Sequence, residues 1–338
     1  MTWTPAAPAS SAWTAAPTAS SLQDRHADMY LGHFSLREAP FSITPDSSFF
    51  YPHESAQAAL NTLLVALRSG EGFLKIVGEV GCGKTVLCRQ LLKTLQGEFV
   101  TAYIPNPDMG PDDLLMSLAS ELSIKLSPPI SRHSVLNSLR DCLLAHALEG
   151  RQVVVCIDEA QAIPLRTVES LRLLSNLETE KRKLLQLVLL GQPELDAKLA
   201  RPEIRQLMQR ITFSEYLGPM TADRVPVYLV HRLTTAAVDA HTDVQVFEPA
   251  AAKAIARISG GVPRLINVLA HKCLMLAYGE NVHRVTTAHV KLAASDTPGV
   301  VPPRPWWRSL WPTKRASARP TTGLFSDSEL RTPARSKP

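Results

Sequence analysis

Residues 78 to 85 read Gly-Glu-Val-Gly-Cys-Gly-Lys-Thr, the pattern G-x-x-x-x-G-K-[ST]. Glycines let the backbone curl until successive amide N–H groups converge on one concave site. A helix beginning behind them adds positive potential, and both features suit a phosphate group. In that chemistry Lys84 reaches the terminal phosphates of a nucleotide and Thr85 offers its hydroxyl to Mg²⁺. Gly78, Glu79, Val80, Gly81, Cys82, Gly83, Lys84, Thr85 and Val86 form the expected phosphate-binding set. A glycine-rich turn can match such a pattern by chance. Here the apolar run Phe73 to Val77 precedes it and the helical stretch Lys84 to Leu95 follows, the context the chemistry requires.

A second motif lies some 75 residues downstream, where Val153-Val154-Val155-Cys156-Ile157 runs into Asp158-Glu159. A buried strand ending in two carboxylates delivers them to the edge of a parallel sheet, beside the loop that leaves the first strand. Asp158 is the expected Mg²⁺ partner, acting mostly through water. Glu159 is the expected residue to orient or polarise an attacking water. Alone, the pair is as often a solvated acidic turn. Gln192, at the end of Leu187 to Gly191, is placed to sense a terminal phosphate. Arg210, and less so Arg205, precede the fifth strand and are candidates to reach a neighbouring subunit's phosphate. Arg264 follows Gly260-Gly261-Val262-Pro263, a helix opening with proline in the first turn, and is placed to fold over the phosphates. Asn106, just past the second strand, is a candidate to hold Glu159 inactive, or simply a turn residue. The bland alternatives are a strand-end turn for Gln192 and solvated helix faces for the arginines.

The elements that must position these groups alternate along the chain. Short apolar runs fall at Phe73 to Val77, Phe99 to Ile104, Gln152 to Ile157, Leu185 to Leu190 and Ile211 to Tyr216. Helical patterns separate them: one ending near Ser69, then Lys84 to Leu95, Asp112 to Leu122, Ser134 to Leu148 and Leu165 to Leu177. Continuous apolar strands between helices predict a parallel sheet covered on both faces. Beyond Thr221 the strand signal stops, and Arg224 to Ala237, Pro249 to Ile258, Pro263 to Leu276 and Thr287 to Ala294 read as helices. The expected organisation is an α/β P-loop domain over 29–218 and a small all-helical lid over 219–295. A disordered Ala/Ser/Thr/Pro-rich extension over 1–28 and a basic tail over 296–338 flank them. Met29 is a candidate start of translation.

Composition bounds the rest. Of 338 residues, 45% are hydrophobic and 20% charged, as in a globular protein. No window approaches ~18 uncharged apolar residues, so no transmembrane helix is expected, and no secretory leader is evident. The net charge of +5 belongs to the tail: residues 300–338 carry eight basic and two acidic residues, leaving 28 against 29 elsewhere. The body thus lacks the charge of a nucleic-acid binder. The five cysteines show no ligand spacing and read as reduced core thiols. The ten histidines make no metal motif, and no structural metal is expected.

With both nucleotide motifs, a strand-end glutamine, an arginine before the fifth strand and GGVPR in a helical lid, the chain resembles the AAA+ ATPases. The segments MYLGHFSLREAPFSITPDSSFFY, GEVGCGKTVLCRQLL, VVCIDEAQAIP, LRLLSNLET, LLGQPEL and QRITFSEYLGPM resemble the general secretion pathway protein A family. The nearest type is its short, single-module branch, the ATPase of mannose-sensitive haemagglutinin (MSHA) pilus biogenesis. The resemblance spans about residues 29 to 295. It implies ATP and Mg²⁺ as cofactors, nucleotide-dependent homo-oligomers, and work on a type IV pilus or type II secretion assembly at the inner membrane. It also implies that the segment before the first strand helps to cover adenine, with Phe34, Pro40, Phe41 and Ile43 as candidates; apolar residues there can equally be core. Two departures stand out. Longer members continue into a transmembrane helix and a peptidoglycan-binding domain, which this sequence does not show. Cys82 stands where Thr or Ser is usual, a position that contributes mainly its backbone.

Trp306, Trp307 and Trp311 interleave with Arg304, Arg308, Lys314 and Arg315. Indoles favour the headgroup layer, and each basic residue near an anionic leaflet adds about 1 kcal/mol. Residues 304–315 can therefore seat a cytoplasmic protein on the inner membrane, dock on a protein partner, or remain a solvated tail. A DNA-transposition or target-selection ATPase is the alternative reading. It requires a basic rim that the near-neutral body does not offer.

Overall fold

The computed structural model describes residues 30–128, 130–174, 177 and 183–298. The expectations for residues 1–28 and for the Trp-rich tail lie outside them. Five parallel strands form one sheet in the order β2-β3-β4-β1-β5: β1 (Phe73–Val77), β2 (Val100–Ile104), β3 (Val153–Ile157), β4 (Leu185–Gly191) and β5 (Phe213–Tyr216). Every residue of β1, β3 and β4 is buried, which is why these strands read as unbroken apolar runs. Successive side chains alternate between two cores. Phe73, Val77, Val155, Ile157, Leu187 and Leu189 pack on α3 (Pro111–Glu121), α4 (Arg132–Leu148) and α5 (Leu165–Leu174). Leu74, Ile76, Val154, Cys156, Val188 and Leu190 pack on α1 (Glu54–Arg68) and α2 (Lys84–Leu95). The strand order sets β4 between β1 and β3, so the loops leaving all three open on one edge of the sheet.

The fifth strand differs from expectation. Its run was expected to be buried from Ile211, yet β5 begins at Phe213 and is largely exposed, with Phe213 at 40% and Tyr216 at 54%. Among the described strands it pairs with β1 alone, at one end of the sheet order. Between β4 and β5 run two short helices, α6 (Glu194–Leu199) and α7 (Arg205–Met208), that the sequence pattern had not marked.

Helices α8 (Arg224–Ala236), α9 (Pro249–Ser259), α10 (Pro263–Gly279) and α11 (Thr287–Ser295) build a third core. Prolines in the first turns of α9 and α10 suit their missing N–H, and Gly260 ends α9 in the left-handed region. The segment ahead of α1 packs into this helical core rather than under the sheet: Tyr30, Phe34, Leu36, Phe41 and Phe49 are buried within it. The Arg37 N–H donates to the Ala236 carbonyl (2.8 Å), and the buried Arg232 guanidinium donates to the Pro40 and Ser42 carbonyls while lying 4.3 Å over the Phe49 ring. The chain entering the lid crosses the end of α9 closely. The Met220 N–H donates to the Gly261 carbonyl (2.9 Å), and a Cβ on Gly261 would fall 1.9 Å from the Met220 oxygen. All five cysteines are free, four of them buried. No described helix is long and apolar enough to cross a membrane.

Candidate active site

The glycine-rich loop leaves β1 and enters α2 through Gly83, which adopts φ +96°, a conformation that favours glycine. Lys84 opens the helix, and its buried Nζ donates to the carbonyls of Gly78 (2.7 Å) and Glu79 (3.1 Å), which aims it back across the loop. The Cys82 side chain is buried, and burial pushes its thiol up, outweighing the pull of the nearby Lys84 charge. This position therefore adds no charge to the cradle. Val80 to Val86 all line the cavity above the loop.

Asp158, at the end of β3, is 2% exposed and held on several sides. Its backbone N–H donates to the Ile104 carbonyl (2.9 Å), its Oδ2 accepts from the Thr85 hydroxyl (2.6 Å) and the Tyr103 hydroxyl (3.4 Å), and its Oδ1 accepts from the Glu159 N–H (2.9 Å). Burial, and then the Asp158 charge, push the Tyr103 hydroxyl well above its ordinary value, so it stays a donor. Glu159 takes the left-handed region at φ 49° and ψ 37°. For a residue with a side chain that costs on the order of 1 kcal/mol and persists only where neighbours fix it. Its Oε2 accepts from the amides of Gln161 (2.5 Å) and Gln192 (3.2 Å), and the Gln192 N–H donates to Gln161 Oε1 (3.0 Å).

The donor set fits the expected ligands. A hydroxyl and a carboxylate in contact are hard oxygen donors of the kind that hold Mg²⁺ when phosphate and water supply the rest. Among the described residues no cluster of three metal-ligating side chains exists, and this chemistry requires none. The cavity is walled on one side by the loop, Glu159 and Gln192, on another by residues 42–46 and 49–51, and is closed by Tyr228, Arg264 and Asn267 of the lid. Arg264 meets the loop directly, its N–H donating to the Gly81 carbonyl (3.2 Å).

Lys84, Thr85, Glu159, Gln192 and Arg264 thus line one cavity, with Asp158 bonded directly behind Thr85. Other expectations are corrected. Phe41 is 1% exposed and packs edge-on against Phe247 in the helical core, so it does not line the cavity; Ile43, two residues on and half exposed, does. The turn at Pro40 and Phe41 buries both, while Ser42, Ile43 and Thr44 after it are exposed. Asn106 follows its turn-residue alternative: its side chain accepts from the Asp108 N–H (3.3 Å), and no bond from it to Glu159 is among those described. Arg210, expected at a neighbouring subunit's site rather than its own, is not among the corrected residues: it follows α7, half-buried and outside this chain's own cavity. Three features escaped the sequence reading: Gln161, Tyr103, and the anchoring of residues 40–49 by Arg232. Only Gln161 left a trace, as a polar residue two places after Glu159.

Comparison with known proteins agrees with this architecture. A family model described as an AAA domain matches residues 67–199. General secretion pathway protein A of Aeromonas hydrophila is 39% identical over 283 residues, covering 83% of this chain and 51% of that protein. The chain therefore spans about half the length of that curated relative. Among solved structures, Cdc6p from Pyrobaculum aerophilum superposes with a TM-score of 0.61 at 18% identity, over 76% of this chain and 70% of that one. The Aeropyrum pernix ORC2 protein, solved in ADPNP-ADP complexes, gives 0.58 at 19%, over 77% and 71%. At such identity these two share the fold alone. Sheet order, phosphate loop and helical lid define a P-loop ATPase of the AAA+ class. Within that class, the 39% identity relates the chain to general secretion pathway protein A over the half of that protein it spans.

Proposed function

We propose that the protein hydrolyses ATP with Mg²⁺ and uses the cycle to assemble or remodel an inner-membrane complex, a type II secretion assembly or an MSHA-like type IV pilus. The observation that carries the chemistry is the contact of Thr85 with Asp158 at 2.6 Å, beside a Glu159 carboxylate held at the cavity wall. Mg²⁺ would supply charge neutralisation on the phosphate oxygens. Thr85 and Asp158 hold it. The glycine-rich loop binds phosphate through its amides, and Lys84 and Arg264 offset phosphate charge from opposite walls. Glu159 accepts a proton from water at its carboxylate, and Gln192 joins that carboxylate to the end of β4. Arg210, outside its own cavity, serves the site of a neighbouring subunit. The biological setting rests on the 39% identical relative.

The test is ATP turnover by the purified chain, titrated separately with anionic liposomes and with duplex DNA, with Lys84→Ala as blank. The expected result is stimulation by liposomes, lost on deleting residues 300–338. Stimulation by DNA alone sinks the secretion reading and favours a transposition-type ATPase.

A further inference from the structure

The bonds around Glu159 single out a residue to which no role has been given. Gln161 sits in the 3-10 turn Ala160–Ala162, and its side chain uses both ends: Nε2 donates to Glu159 Oε2 (2.5 Å) and Oε1 accepts the Gln192 N–H (3.0 Å). We propose that Gln161 is a positioning residue that ties the end of β3 to the end of β4 and fixes the direction of the Glu159 carboxylate. This rests on Glu159 being the base of the reaction.

Glu159 has a strained backbone, and a long side chain leaving it has several staggered directions. Only those that bring an oxygen to the water allow proton transfer. The Gln161 and Gln192 amides both grip Oε2, leaving Oε1, which no described group bonds, to receive the proton. Gln161 is itself held from behind. Lys198 of α6 donates from Nζ to the Gln161 carbonyl and to the Ile163 carbonyl (2.7 Å). The same helix is pinned to β1 by the ion pair between Asp196 and the buried Lys75. A continuous frame therefore runs from the strand that carries the phosphate loop, through α6, to the turn that aims Glu159. Asn106, at the end of β2, has no part in it.

Gln161→Glu keeps an oxygen for the Gln192 N–H but replaces the donor to Glu159 with a like charge; Gln161→Ala removes both bonds. The full chain is assayed for steady-state ATP turnover, for nucleotide Kd with a fluorescent ADP analogue, and for melting temperature. Single-turnover hydrolysis is measured for Glu159→Gln with and without Gln161→Ala. A positioning role lowers kcat about 10- to 100-fold in both single variants, leaves Kd within about two-fold and Tm unchanged, and adds no further loss in the double variant. Unchanged kcat in the single variants while Glu159→Gln is inactive overturns the inference alone, as does a further, multiplying loss in the double variant. Wild-type turnover by Glu159→Gln overturns the base assignment and this inference with it.

Discussion

Lys84 and Glu159 line the same cavity yet answer to different measurements. In the proposed reaction Lys84 serves binding: its buried ammonium turns across the loop to the Gly78 and Glu79 carbonyls, and removing it would leave phosphate charge without a partner. Lys84→Ala is expected to raise nucleotide Kd at least about ten-fold, the loss of one charge-assisted bond. Glu159→Gln preserves shape but not basicity, so it is expected to lower kcat by about 10²- to 10⁴-fold with Kd unchanged. Equilibrium binding and turnover on the two variants separate these outcomes. The placement of both residues at one cavity was legible in the sequence because it follows from spacing: a loop of fixed length before a helix, and carboxylates at a strand end. Gln161 and Tyr103 were not. A single polar residue in a turn, or one tyrosine in an edge strand, carries no period and no spacing, and its meaning depends on which loop folds against it.

Elements were legible to the extent that they are buried on both faces. The limits of β1 follow from its apolar run, while β5, exposed along one edge, was read as longer and more buried than it is. The segment before α1 was assigned to the α/β unit because of its place in the chain. It packs in the lid core instead, since its aromatic residues find their partners there. Arg232 holds that packing through the Pro40 and Ser42 carbonyls. Arg232→Ala is expected to cost about 2–3 kcal/mol through lost charged hydrogen bonds. It is also expected to speed amide exchange across residues 40–50, with denaturant melts and hydrogen exchange as the readouts. The same region carries a pH dependence. Burial lowers His53, His231 and His271 below their ordinary value. In the unfolded chain each protonates near pH 6.5, before its folded counterpart. The stability these neutral rings give is complete above about pH 6.5 and is lost as pH falls from there toward their depressed values. A melting temperature that declines from pH 7.5 to 5.5 is expected; a flat profile removes the argument.

At the scale of the whole molecule, the chain's cavity includes its own Lys84 and Arg264 but not its own Arg210. If Arg210 works on the neighbour, a defect there is complemented by a subunit that is defective elsewhere. Arg210→Ala and Lys84→Ala proteins are each expected to be nearly inactive. Their mixture is expected to recover turnover as the Lys84→Ala subunits present Arg210 to the intact sites of the others. Absence of recovery at concentrations where sedimentation shows mixed oligomers assigns Arg210 a role within its own subunit.

The hydrogen bond from the Arg264 N–H to the Gly81 carbonyl joins the first turn of the lid helix to the glycine-rich loop proposed to bind phosphate. A factor that pulls the lid away must break this bond, and a nucleotide that orders the loop reinforces it. The two events are therefore linked, and linkage is reciprocal. Whatever fold-change nucleotide makes in a partner's affinity for the open lid, that partner must make in the affinity for nucleotide. A partner that opens the lid is thus also a nucleotide-release factor, and one measured coupling constant describes both activities.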